Sequence, residues 1–73
     1  MPMLPAMAKV TPYDRVKQWR AKHALSLRAA APAIGISVTT LNLIELGQAP
    51  RSLAVRRKLL AHVGIPLTAW EEP

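Results

Sequence analysis

Side chains able to do covalent or metal chemistry are few in this chain and poorly placed for it. There is no cysteine, which excludes disulfides and thiolate zinc sites. His23 and His62, with the acids Asp14, Glu45, Glu71 and Glu72, form no cluster at metal-ligand or paired-carboxylate spacing. No nucleophile–base pair and no phosphate-cradling glycine loop is present. The expectation is a protein that is not an enzyme and uses no metal or cofactor. What the chain does carry is positive charge: ten Lys and Arg against four acids, a net +6. Residues 15–58 hold Arg15, Lys17, Arg20, Lys22, Arg28, Arg51, Arg56, Arg57 and Lys58 with Glu45 as the single acid, a local charge of +8. The chemistry implied is the binding of a polyanion by the folded part of the molecule.

Seventy-three residues make one small domain, which buries only roughly 60% of its unfolded surface, so a partner or ligand can add a meaningful share of its stability. No apolar run approaches the roughly 18 residues that span a bilayer, so no membrane partner is expected. The opening MPMLPAMAK is interrupted by Pro2 and Pro5 and lacks a preceding basic stretch, unlike a signal peptide. With the absence of cysteine this suggests a cytoplasmic location. Residues 1–10 have no periodicity and read as a flexible N-terminal arm, and residues 11–73 as the folded domain. The arm's Met3, Leu4, Met7 and Val10 suit a fold over a dimer partner, and Lys9 suits a phosphate contact.

The elements that must position the charges are helices. Thr11-Pro12 with Asp14 is a helix start: a capping hydroxyl, a preset φ and an acid in the first turn. Val16, Trp19, Arg20 and His23 then mark one face of helix one. Ser26 caps a second helix with inner face Leu27, Ala30, Ala31 and Ile34, ended by Gly35. Pro32 within it predicts a kink, or a helix that starts late. Ser37 caps a third helix facing inward with Leu41, Ile44 and Val38, with Gly47 as its C-cap. Ser52 caps a fourth, to about His62, with Val55, Leu59 and Val63 inward, Arg56, Arg57 and Lys58 outward as a solvated run, and Gly64 as its stop. Ile65, Leu67 and Trp70 pack back on the bundle, with a last helical turn from Thr68. Trp19 and Trp70 are read as core residues, and His23 and His62 as helix-end residues near the negative end of the dipole. No strand-like alternation is present. The fold class is all-α: a bundle of four to five short helices.

Two short helices joined by Gly35-Ile36-Ser37 define a helix-turn-helix, whose second helix can enter a major groove. The run VKQWRAKHALSLRAAAPAIGISVTTLNLIELGQAPRS, followed by LLAHVGIPLTAW, resembles the Cro/lambda-repressor-like helix-turn-helix domain over about residues 16–70. The shared features are an apolar-Arg pair in helix one, Leu-Ser before helix two, Ala-x-x-x-Gly-Ile-Ser at the turn, Glu-x-Gly closing helix three, and Gly-Ile-Pro-Leu after helix four. The resemblance implies that Ala31 is the small residue letting helices two and three approach, that Leu41 and Ile44 are core positions, and that Arg20 and Glu45 form a partly buried structural ion pair.

It also implies double-stranded DNA as partner, read by a homodimer whose third helix presents Val38, Thr39, Thr40, Asn42 and Leu43. Phosphate contacts fall to Arg28, Gln48, Arg51 and Ser52, with Arg15 or Lys17 near helix one. The chain departs from the family's pattern at Val38 and Leu43, where long polar residues are usual and only a thymine methyl or a sugar can be touched. Leu27 and Leu46 also replace usual phosphate-binding residues. The function expected is a small phage or bacterial repressor-like transcription regulator. The alternative is a protein-interaction module, an antirepressor or adaptor, using Leu27, Val38, Leu43 and Leu46 as an apolar patch.

Overall fold

A computed structural model describes residues 10–71. Four α-helices follow one another in chain order: α1 Pro12–Lys22, α2 Leu27–Ile34, α3 Val38–Glu45 and α4 Leu53–Val63, with a 3₁₀ turn over Leu67–Glu71. No strand occurs among the described residues. Of the expected arm, residues 1–9 lie outside the described residues, and Val10 is exposed.

Each helix starts where its cap stands. Thr11 Oγ1 accepts from the Asp14 amide at 3.1 Å while the Asp14 carboxylate accepts from the Thr11 amide at 3.3 Å, a reciprocal capping box. Ser26, Ser37 and Ser52 each accept from the backbone amide three residues on, opening α2, α3 and α4. Each such cap is worth about 1 kcal/mol. Gly35 and Gly64 end α2 and α4 in the left-handed region, φ 95° and 86°. α1 also ends on a left-handed residue, closed by Ala24 N–H to Ala21 O and Leu25 N–H to Arg20 O, but that residue is Ala24, φ 53°. An alanine there carries about 1 kcal/mol of strain that a glycine would not.

The core is one cluster: Val16 from α1, Ala30, Ala31 and Ile34 from α2, Leu41 and Ile44 from α3, Leu59 from α4, and Ile65 and Trp70 behind it. Fully burying one of its large aliphatic side chains contributes about 1.5–3 kcal/mol. Ala30 and Ala31 have no exposed surface, and their small size lets α2 lie close against its neighbours. Tyr13 meets Trp70 edge to face, with ring centroids 5.6 Å apart, joining the start of α1 to the end of the domain.

Several expectations change in the structure. α2 does not start late: it begins at Leu27 and runs through Pro32 to Ile34. Pro32 lies on the exposed side of the helix with Arg28 and Ala29, so the carbonyl deprived of its N–H partner can bond water instead. Val38 is 40% exposed and no part of the core, because the first residue of α3 stands at the margin of its inner face. Leu46 is the C-cap of α3 and Gly47, φ 103°, follows it outside the helix. His23 is exposed as the C-cap of α1, its Nδ1 2.9 Å from Trp19 O, although the spacing had put it on the inner face. Trp19 is half-buried against the core.

Candidate nucleic-acid interface

α2 and α3 meet at 106° across Gly35–Ser37, the angle range of a helix-turn-helix. Gly35 makes the corner: its N–H donates to Ala31 O at 2.8 Å, and the Ile36 N–H donates to the same carbonyl at 3.0 Å. A β-carbon at Gly35 would stand 3.4 Å from Lys58 Cδ and hold a φ that L-residues disfavour. α3 is thereby turned so that Leu41 and Ile44 enter the core, while Val38, Thr39, Asn42, Leu43 and Leu46 face outward.

Three basic side chains hold this helix from behind. Arg20 of α1 grips Glu45 at the end of α3 with two parallel bonds, Nε to Oε2 at 2.7 Å and Nη2 to Oε1 at 2.8 Å. Its Nη1 also donates to Leu25 O at 3.1 Å, tying the α1–α2 corner to the same point. The Arg20 guanidinium is raised above its ordinary pKa, first by the hydrogen bonds to Glu45; partial burial pulls the other way, and the carboxylate's charge adds to the rise. Because the folded value lies above the unfolded one, this part of the pair's contribution is intact below the ordinary arginine range and is lost only as pH rises through the raised value.

The other two supports come from α4. Lys58 Nζ donates to Gly35 O at 2.8 Å, at the turn before α3. Arg56 Nε donates to Pro50 O at 2.7 Å, in the loop after it. This corrects the reading of Arg56 and Lys58 as a solvated run. Pro50 O lies in the loop just before α4, six residues from Arg56, whereas Gly35 O is 23 residues from Lys58 and reaches it only in the assembled bundle. A lysine placed on the C-terminal carbonyl of α2 also meets the negative end of that helix's dipole.

The residues expected to touch DNA fall into groups. Thr39, Asn42, Val38 and Leu43 are exposed on α3. Thr40 is half-buried, its Oγ1 accepting from Ser37 Oγ at 2.8 Å, and turned towards the following loop. There Thr40, Leu43, Ile44, Gln48, Ala49, Pro50 and Arg51 line an open cleft of about 430 Å³. Ser52 Oγ accepts from the Val55 amide at 3.3 Å, so it acts as the α4 cap, with its hydroxyl proton still free to donate to a phosphate. Arg28 and Arg51 are exposed on either side of α3 in sequence. Leu27 is half-buried against the core, which removes it from the apolar patch expected with Val38, Leu43 and Leu46. Among the described residues no group of His and acidic side chains could hold a metal ion, and no single helix is long and apolar enough to cross a membrane.

A family model described as Helix-turn-helix matches residues 16–70, from the first core residue of α1 to the buried Trp70. The chain belongs to this helix-turn-helix family, of the Cro/lambda-repressor-like kind. No curated protein and no solved structure matches the chain. Helix-turn-helix proteins of this family are DNA-binding regulators and not an enzyme family, and DNA is the partner that membership supports. The basic segment and the 106° corner now have a common reason: an outward helix carried on a positively charged frame.

Proposed function

We propose that this helix-turn-helix protein is a repressor-like transcription regulator that inserts α3 into the major groove as a homodimer. The observation that carries the reading is the outward face of α3, which is uncharged and exposed, with exposed arginines, Arg28 and Arg51, before and after it in the chain. An α-helix with its side chains is about 10–12 Å across, which fits a major groove about 12 Å wide. The two arginines supply phosphate contacts, together with Gln48 at the cleft and the α4 N-terminus at Ser52. One such unit spans few base pairs, so useful specificity requires two copies on half-sites about one helical turn apart. Occupancy of the operator by such a dimer is a direct means of regulation.

Selection from a random duplex pool, followed by titration of the winner from 50 to 200 mM salt, tests this reading. The expected result is a two-fold motif and an affinity that falls steeply with salt. A pool with no enriched sequence, or binding of one copy per site, would overturn it. A second reading is favoured by Leu46, which is 73% exposed beside Leu43 at 41% and Val38 at 40%: an antirepressor or adaptor that holds a protein on this face. Under that reading Leu43→Asp abolishes partner capture and the protein shows no duplex binding at 50 mM salt.

A further inference from the structure

The groups available on α3 determine which bases it can read. With about 100° between successive residues, the inward side is taken by Leu41 and Ile44, and the outward side by Thr39 and Leu46 with Asn42 and Leu43 to either hand and Val38 at the edge. Val38, Leu43 and Leu46 are exposed to 40%, 41% and 73%, so three of the five outward side chains have nothing but hydrocarbon to offer. Glu45 is the only charged residue of α3, and both its carboxylate oxygens are taken by Arg20. No lysine or arginine therefore stands on this helix to make the bidentate contact that marks guanine O6 and N7. Asn42 has the matching geometry for adenine N6 and N7, and Thr39 carries a methyl beside its hydroxyl.

From this we infer that α3 reads A·T pairs, and that it does so through the thymine 5-methyl group, with Leu43 and Val38 as the methyl-contacting residues and Asn42 as the adenine reader. The inference rests on the proposed insertion of α3 into the groove and adds the class of sequence selected. The exposed Arg28 and Arg51 supply phosphate contacts, while the exposed hydrocarbon of Leu43 and Val38 excludes water from the methyl groups it meets. The thymine methyl is the one apolar group that base edges present in the major groove, so it is the complement an uncharged aliphatic face requires.

Uracil provides the test, because it differs from thymine by that methyl alone and leaves pairing and hydrogen-bonding edges unchanged. The best duplex from the random pool is synthesised with thymine and with uracil at each enriched A·T pair, and binding is measured at fixed salt. The expected result is a loss of about four-fold for each contacted methyl. Leu43→Asn, at a surface position that leaves the core intact, should bring the thymine-to-uracil ratio at one pair to unity without changing the salt dependence. Duplex binding that is indifferent to uracil, or a motif of G·C pairs opposite α3, overturns the methyl reading alone. Absence of duplex binding at 50 mM salt overturns groove insertion with it.

Discussion

The two sides of α3 are built on opposite plans. Inward, Leu41 and Ile44 are fully buried, Glu45 is held by two hydrogen bonds, and Lys58 and Arg56 fasten the turns at either end. Outward, Val38, Asn42, Leu43 and Leu46 are exposed. The contrast divides the basic residues in the same way. Arg20, Arg56 and Lys58 are bonded to the protein and orient the helix, whereas Arg28, Arg51 and Arg57 are exposed at the surface. Net charge alone would treat all six as groups for phosphate. The lesson is that a basic domain of this size uses part of its charge as framework, and that only the remainder should appear in the salt dependence of binding.

The largest effect is expected from the inward side. Leu41→Ala should lower stability by about 2–5 kcal/mol, a large part of what so small a domain has, and thermal unfolding would measure it. Next come Arg20→Ala and Glu45→Ala, each leaving the partner's charge without its counterpart. Each should lower stability by about 3 kcal/mol, at the low end for a broken ion pair because the Arg20 side chain keeps 28% of its surface exposed. The double variant should be less destabilised than the sum of the two, and strict additivity would show that the pair does not couple.

Lys58→Met sharpens the division. It keeps the hydrocarbon stem over Gly35 but removes the ammonium from the Gly35 carbonyl, so stability should fall by under about 1 kcal/mol. Duplex affinity should fall with an unchanged salt slope, since a framework cation releases no counterion; a slope reduced by about one would move Lys58 to the outward set. The smallest change in stability belongs to Arg28→Ala and Arg51→Ala, within about 0.5 kcal/mol, yet each should reduce the salt slope by about one. If neither slope moves, the outward set has been assigned to the wrong residues.

Much of this architecture is legible in the sequence because it rests on local chemistry. Thr11, Ser26, Ser37 and Ser52 announce helix starts since a capping hydroxyl bonds an amide three residues on, and Gly35 and Gly64 announce ends since few other residues take a left-handed φ cheaply. The end of α1 carries no such mark, because an alanine, Ala24, holds the left-handed position there. Val38 is ambiguous by periodicity alone, standing at the boundary between the two faces. Lys58 looks identical to a solvated side chain until the bundle brings the Gly35 carbonyl to it, and Arg56 until the loop before α4 turns the Pro50 carbonyl back on the helix. At the interface, the identity of the outward residues follows from helical spacing, while their support from behind depends on contacts between distant segments.

The two tryptophans occupy unlike surroundings, and that has a practical consequence. Trp70 is buried beside Tyr13, whereas Trp19 is half-buried with its ring 4.8 Å from that of His23. α3 has no aromatic residue at all. The unlabelled protein therefore offers two distinguishable optical probes: the buried Trp70 is expected to emit further to the blue than the half-buried Trp19 beside His23.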